Sequence, residues 1–148
     1  MGREVRRFST TIDRPPAEVF AFLSDVSKHA EWSPKPYRVE GTSGPVKAGD
    51  TFASVGAIPG DKNHRNEVTV SEASAPTRLV LDCLERGEHF INTFEVEPEG
   101  SGSRVTRVVD SPTPPFPVSL VFPLIMALVI KPDVNKGLRN LKGILESS

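Results

Sequence analysis

The sequence predicts an α+β domain in which a seven-stranded antiparallel sheet wraps around one long C-terminal helix. Three observations predict it: an alternating segment near the N-terminus, a middle region with turn residues roughly every ten positions, and an apolar pattern of helical period at the C-terminus. The chain has 148 residues, which suffices for one domain with one core, so we expect a single domain over residues 1–148.

The N-terminal part predicts one strand and two short helices. Apolar residues alternate along residues 4–12, as in a half-buried strand. Residues 13–18 then combine a capping aspartate, two prolines and a glutamate, which favours a helix start. An apolar stripe extends this helix to about Ser24, and residues 27–32 predict a second short helix.

The middle of the chain predicts an antiparallel meander. Turn residues such as Gly49-Asp50 and Arg86-Gly87 separate short alternating segments. The proline-rich residues 111–115 end the last strand, because proline lacks the N–H that a ladder needs. The six strands are expected at about 37–41, 50–56, 64–72, 78–85, 88–97 and 103–111.

The C-terminal part predicts an amphipathic helix that is preceded by an apolar, proline-containing segment. Pro132 and Gly137 predict a kink or break near Lys131. The preceding residues 116–130 are apolar but shorter than the roughly 20 residues of a membrane span, so we expect them to be buried or to lie against an apolar surface. The apolar stripe of the helix is Val134, Leu138, Leu141 and Leu145, with Lys136, Arg139 and Lys142 on other faces.

Composition narrows the range of partners. The chain has 18 Lys and Arg against 19 Asp and Glu, a formal charge of -1, so we expect no nucleic acid partner. The first residues do not resemble a signal peptide, so we expect a cytoplasmic protein. Cys83 is the lone cysteine and has no partner for a disulfide within the chain.

Several motifs occur in a recognisable order along nearly the whole chain. Residues 12–25 read IDRPPAEVFAFLSD, and Trp32-Ser33-Pro34 follows them. The later segments GDTF, PTRLV and GSGSRVT occupy residues 49–52, 76–80 and 100–106. This order resembles the START-like, Bet v 1-like superfamily (SRPBCC), in particular its polyketide cyclase/dehydrase and lipid-transport branch. Departures are Ser103 where threonine is usual, and Pro123 and Pro132 before the C-terminal helix.

The resemblance implies a helix-grip fold with a hydrophobic cavity between the sheet and the C-terminal helix. It implies binding or transfer of a hydrophobic small molecule such as a lipid, an isoprenoid or a polyketide. Enzymes of the aromatase/cyclase kind also belong to the superfamily, and no catalytic motif is common to all its members. The fold is therefore an argument for a site and leaves its chemistry open.

Strand alternation places several polar side chains on the same face as apolar neighbours, where they would line the interior. Each has two interpretations. His64 is a proton donor or acceptor, or a solvated side chain at a strand end. Asn92 offers its amide to a ligand or bonds to backbone at a bulge. Arg107 binds a carboxylate, phosphate or carbonyl, or lies on the convex face if the alternation slips. Asn66 shares the alternation of His64, and Cys83 is expected to be a small buried hydrophobe rather than a nucleophile.

Apolar residues complete the candidate ligand site. Trp32 either covers the cavity entrance or pins the short helices to the sheet, and the resemblance favours the second. The other apolar candidates for the core and the cavity wall are Phe52, Leu81, Phe94, Met126, Ile130 and Leu138.

Motifs for metals and cofactors give no positive signal. His29 and His89 have no CxxC, HExxH or paired-carboxylate context, and the sequence contains no Gly-rich phosphate loop or Gly-x-Ser-x-Gly elbow. We therefore expect neither a metal nor a cofactor.

Three hypotheses follow. The first is a binding or transfer module for a hydrophobic ligand. The second is a cyclase-like enzyme assisting aldol condensation and dehydration, in which Arg107 and Asn92 stabilise an enolate and His64 moves protons. The third adds transient contact of residues 116–142 with a membrane surface, to which Lys131, Lys136, Arg139 and Lys142 contribute charge unless they form an ordinary solvated face.

Overall fold

The computed structural model describes residues 2–58 and 60–148. Within these residues the chain forms seven strands and a set of helices that follow the predicted order. The elements are β1 (Arg3–Ile12), α1 (Pro16–Ser24), a 3-10 turn (Val26–Lys28), α2 (His29–Trp32), β2 (Tyr37–Glu40), β3 (Thr51–Ile58), β4 (Asp61–Ser74), β5 (Arg78–Glu85), β6 (Glu88–Glu99), β7 (Gly102–Pro112), α3 (Val118–Ile125), a π-helical turn (Met126–Ile130) and α4 (Lys131–Glu146).

The strands form one antiparallel sheet in the order β1-β7-β6-β5-β4-β3-β2, which confirms the predicted α+β class. Register shifts occur between Gly56 and Ile58 and between Val70 and Glu72, and such bulges bend a sheet. The pairing of β7 with β6 continues in register from Gly102 to Asp110. The alternation on β7 therefore does not slip, and Arg107 keeps the inward face that it shares with Val105.

The core lies between the concave face of the sheet and α4. Leu138, Leu141 and Leu145 of α4 are buried against the sheet, as the helical stripe predicts. The helix α1 also packs on the sheet and buries Val19 and Leu23. Removal of this apolar surface from water is the main favourable term that holds the helices on the sheet.

The junction of β1 and β7 requires a glycine. A Cβ atom on Gly102 would lie 2.4 Å from the carbonyl oxygen of Ile12, closer than any side chain can approach. Ser103 stands beside it and donates a hydrogen bond to the carbonyl oxygen of Arg14, at 2.7 Å. This contact ties the end of β1 to β7.

The C-terminal helix differs from the prediction at its first half. A kink or a break is expected near Lys131, and the helix continues from Val118 to Glu146 without a break. The irregularity next to Lys131 is a π-helical turn, Met126–Ile130, and Pro132 lies in the first turn of α4 that follows it. A widened turn accommodates a proline ring that would clash with the carbonyl four residues earlier in a regular helix.

We call residues 118–130 the apolar helix. None of its residues is buried, and Leu120 and Leu128 are 70% and 68% exposed. Phe116, just before it, is 77% exposed. The expectation that this run is buried is therefore wrong for the chain by itself, and the expectation that it meets an apolar surface stays a prediction.

The combined helix Val118–Glu146 is long and apolar enough to cross a membrane, by length and composition only. Core helices of soluble proteins share this length and composition. Here the second half of the helix packs on the sheet. The apolar helix differs from the second half, because none of its residues is buried.

Candidate functional site

A cavity of about 320 Å³ opens between the concave face of the sheet, the α2–β2 connection and the start of α4. Its volume is in the range of small-molecule sites. Its walls combine aromatic and aliphatic side chains with a few polar groups. They are His29, Trp32, Ser33, Pro34 and Lys35 from α2 and its connection to β2; Tyr37, Phe52, Ser54, Asn66, Val68, Leu81, Cys83, Asn92, Phe94 and Arg107 from β2 to β7; and Asp133 and Val134 from α4.

Most of the residues singled out from sequence meet in this cavity, because all of them except Trp32 of α2 share one face of the sheet. Those that line it are Trp32, Phe52, Asn66, Leu81, Cys83, Asn92, Phe94 and Arg107. Their position agrees with the strand alternation, whereas their role in binding stays a prediction.

Four sequence candidates lie outside the cavity lining. His64 is near the strand end and its Nε2 lies 2.6 Å from Oε1 of Glu85. Leu138 is buried in the core beneath α4. Met126 and Ile130 belong to the π-helical turn, beyond the point where the helix borders the cavity. Alternation gave the correct face for His64 but carried no information about how far along β4 the cavity extends.

Several lining residues were missed. Ser54 shares the alternation of Phe52 and could have been found in the same way. His29, Tyr37 and Asp133 come from a short helix, the edge strand β2 and the start of α4. Their direction depends on how these elements pack, which no local pattern records.

Arg107 is the main charged group on the inner wall. Its Nε and Nη2 donate to Oδ1 of Asn92 at 3.1 and 2.8 Å. Its guanidinium carbon lies 5.7 Å from the ring centre of Phe94, a cation–π contact. Burial lowers the pKa of Arg107, yet an arginine remains charged at neutral pH. Among residues 2–58 and 60–148, Arg107 has no salt-bridge partner.

An aromatic cluster joins the cavity to the helices. Trp32 lies 5.0 Å from the ring of His29 and 6.0 Å from that of Phe94, measured between centroids. Its six-membered ring faces Gly137 of α4, where an added Cβ atom would lie 3.5 Å from the ring, and the carbonyl oxygen of Trp32 accepts a hydrogen bond from Nδ2 of Asn140 at 3.2 Å. Trp32 thus lines the cavity and also holds α2 against α4 and the sheet.

Two further features complete the wall. Nζ of Lys35 and Oδ2 of Asp133 form an ion pair of 2.8 Å between the α2–β2 connection and α4, and both side chains remain partly exposed. In addition, Nε1 of Trp32 and Oδ1 of Asn66 are buried without a hydrogen-bond partner among the described residues.

Among residues 2–58 and 60–148, no cluster of three or more His, Cys, Asp or Glu side chains could hold a metal ion.

Sequence comparison decides the family. The profile described as "Polyketide cyclase / dehydrase and lipid transport" matches residues 6–146. The chain belongs to this family. The resemblance to the SRPBCC superfamily is thereby confirmed, and a ligand-binding function of the SRPBCC kind is supported. A search of curated protein sequences finds no match.

Solved structures confirm the Bet v 1-like helix-grip fold of this family member. A protein from Thermus thermophilus is 20% identical, with a TM-score of 0.72 over 97% of this chain and 98% of that one. Ara h 8.0201 is 14% identical, with a TM-score of 0.70 over 99% and 100%. A protein from Chromobacterium violaceum is 17% identical, with a TM-score of 0.72 over 97% and 98%. At such identities the likeness concerns the fold alone.

The titratable groups of this family member's cavity are poorly matched to proton transfer at neutral pH. Burial lowers the pKa of His29 to about 4 and raises those of Tyr37 and Cys83 to about 12 and 11. The Nε2 atom of His29 already lies 2.8 Å from the carbonyl oxygen of Leu23. All three groups are therefore neutral near pH 7, whereas an efficient general acid or base has a pKa near the working pH.

Proposed function

We propose that this protein binds and transfers a hydrophobic small molecule, of the lipid, isoprenoid or polyketide kind, in the cavity between the sheet and the C-terminal helix. The cavity itself carries the proposal: aromatic and aliphatic side chains such as Trp32, Phe52, Leu81 and Phe94 form most of its wall. Apolar walls with few, fixed polar groups are typical of small-molecule sites. Membership in a family that includes lipid transport supports it.

The first experiment is native mass spectrometry of the purified protein, followed by denaturing extraction and identification of any bound molecule. A stoichiometric lipid, quinone or polyketide is the expected result. A panel of fluorescent lipids and polyketides then measures affinity directly. If nothing is extracted and no member of the panel binds, the proposal fails.

A pair of variants on β5 locates the binding. Cys83 borders the cavity, while the next residue, Leu84, is exposed on the outer face of the sheet. Cys83→Phe fills cavity volume and is expected to weaken binding about tenfold or more, whereas Leu84→Phe leaves binding unchanged. Circular dichroism verifies that both variants fold. Equal affinity of the folded variants would place the ligand elsewhere.

The cyclase-like enzyme is the second candidate, and the arrangement of groups favours it less. Arg107 and Asn92 are adjacent and would stabilise an enolate oxygen. However, the proton carrier expected from sequence, His64, is paired with Glu85 outside the cavity lining. Unchanged product profiles for Arg107→Ala and His64→Ala with a reactive polyketide substrate would argue against this enzyme.

We further propose that the apolar helix contacts a membrane surface while the ligand is loaded or released. Its exposed side chains point to more than one side, since Val118 and Leu120 are separated by roughly 160° around a helix. Immersion in lipid covers all these sides, whereas a flat protein partner covers one. The apolar helix continues into the first turn of α4, where Asp133 and Val134 border the cavity.

The dimensions favour insertion into one leaflet over a span. The apolar helix runs from Val118 to Ile130, about 20 Å at 1.5 Å per residue, and the hydrocarbon core is about 30 Å thick. Exposed Lys131, Lys136 and Arg139 follow it and would meet the headgroups. Lys142 is less available, because its Nζ donates to the carbonyl oxygen of Thr11 at 2.6 Å.

Liposome co-sedimentation tests this contact, with phosphatidylcholine vesicles with and without anionic lipid. The triple variant Leu120→Ser, Leu124→Ser, Leu128→Ser is expected to lose binding. The double variant Val5→Ser, Leu84→Ser removes exposed apolar side chains from the sheet instead and should bind like the original protein. Absence of binding to both vesicle types overturns the membrane proposal.

We also propose a cytoplasmic location for this protein, and cell fractionation would test it.

A further inference from the structure

The cavity wall holds one uncompensated positive charge. Arg107 lies on β7, an interior strand next to the edge strand β1, and it is paired with Phe8 of β1 and Phe94 of β6. The other titratable groups deep in the cavity are His29, Tyr37 and Cys83. The pKa values of these three groups, about 4, 12 and 11, leave each of them neutral near pH 7.

The other charges that line the cavity cancel each other. Lys35 and Asp133 pair at 2.8 Å and remain partly exposed. The net charge of the lining groups is therefore one positive unit, located at Arg107. Arg107 is half-buried, and a charge withdrawn from water without an opposite charge beside it is costly.

The free donors of Arg107 have a defined geometry. A guanidinium carries five N–H groups. Asn92 accepts from Nε and from Nη2, while Nη1 donates no hydrogen bond to any described residue. The Phe94 ring under the guanidinium restrains its plane. The Nη1–Nη2 end is thus left to receive two oxygens side by side, the arrangement of a carboxylate.

We propose that the ligand is an amphipathic carboxylic acid, with its carboxylate bound to the Nη1–Nη2 end of Arg107 and its apolar body along Leu81, Phe94 and Trp32. This inference deepens the proposed function and depends on it. A single carboxylate neutralises one positive charge, whereas a phosphate monoester carries about −1.5 to −2 and leaves an excess of negative charge inside the protein.

Two buried polar atoms support a ligand with oxygen functions. Trp32 and Asn66 line the cavity, and Nε1 of Trp32 and Oδ1 of Asn66 are buried without a hydrogen-bond partner among the described residues. Buried polar groups are nearly always satisfied in native proteins, by protein, water or ligand. A purely aliphatic occupant would leave both atoms and the Arg107 charge unpaired.

The test compares three probes with one chain length: dodecanoate, methyl dodecanoate and dodecyl phosphate. Isothermal titration calorimetry on the original protein is expected to show dodecanoate binding about tenfold or more tightly than the ester. Tighter binding of dodecyl phosphate than of dodecanoate would overturn the carboxylate assignment. This comparison needs no variant, so it stands even where a variant fails to fold.

Two variants of β7 then identify the arginine. Arg107→Gln is expected to bind dodecanoate and its methyl ester about equally. Arg104→Gln lies on the same strand but pairs with Glu99 outside the cavity, and it should keep the original preference. Should the ester bind as well as the acid, and should Cys83→Phe abolish both, the carboxylate inference fails while the proposed function stands. If neither probe binds, the proposed function itself fails for this ligand class.

Discussion

The two halves of the C-terminal helix have opposite relations to the sheet. Along α4 the apolar residues form a single stripe, and Leu138, Leu141 and Leu145 are covered by strands. In the apolar helix the apolar residues occupy more than one side and none is fully buried, although Met126 packs partly against the core. Polar residues on α4 restrict burial to one face, which fixes its orientation on the sheet. The comparison shows that patterning, more than hydrophobicity, positions a helix on a fold.

Removing one leucine from each half tests this difference with the largest expected effect. Leu141 has 0% exposure, while Leu124 is 61% exposed. Leu141→Ala leaves a cavity under α4 and should lower the free energy of unfolding by about 2–5 kcal/mol. Leu124→Ala should change it by less than about 0.5 kcal/mol. Urea denaturation followed by circular dichroism measures both, and similar losses would mean that the apolar helix is packed in solution.

A change of pH sharpens the same comparison, because α4 contacts Trp32, which packs on the buried His29. The pKa of His29 is lowered to about 4, chiefly by burial and also by the charge of Arg107, while the Leu23 carbonyl and Asp25 act in the opposite direction. Between pH 6.5 and 4 the unfolded chain binds a proton that the folded one does not. Stability is therefore full above the unfolded value and falls as the pH decreases through this window.

The expected loss from His29 is about 2 kcal/mol between pH 7 and pH 5, on the scale of about 1.36 kcal/mol per pKa unit. His29→Gln removes the titrating ring and should flatten the pH dependence of the urea midpoint over this range. An unchanged slope in the folded variant would show that other groups cause it. Membrane binding by the apolar helix should not depend on this residue.

The sequence predicted the sheet and its inward-facing residues better than it predicted the extent of the cavity. Strand alternation and turn residues located the sheet, and the inward direction of Arg107 followed from its neighbours Val105 and Val109 because no bulge interrupts β7. The cavity could be predicted only in part. His64 has the correct alternation but lies beyond the lining, and Tyr37 was missed, because the depth of a pocket depends on the packing of the short helices and α4.

The apolar helix exposes a limit of a different kind. Its composition predicts that something apolar must cover it, but composition does not state what. Within a single chain the answer depends on whether strands extend far enough to reach it, and here the contacts of the C-terminal helix with the sheet come from α4. A periodic apolar stripe indicates which face of a helix packs on the sheet, whereas an apolar run without a stripe does not indicate a packing face.

The smallest expected effect comes from opposite glycine exchanges in the two halves. Gly143 on α4 is exposed and has open space around its Cβ position, so Gly143→Ala should raise the free energy of unfolding by roughly 0.5–1 kcal/mol through helix propensity alone. Ala127 in the apolar helix is also exposed. Ala127→Gly should leave global stability almost unchanged, because among the described residues Met126 is the one side chain of residues 118–130 that packs on the core, and so weakly held a helix melts independently of the core. Hydrogen exchange should then show faster amide exchange confined to the apolar helix. A loss of global stability from Ala127→Gly equal to the gain from Gly143→Ala would mean that the two halves fold as one unit.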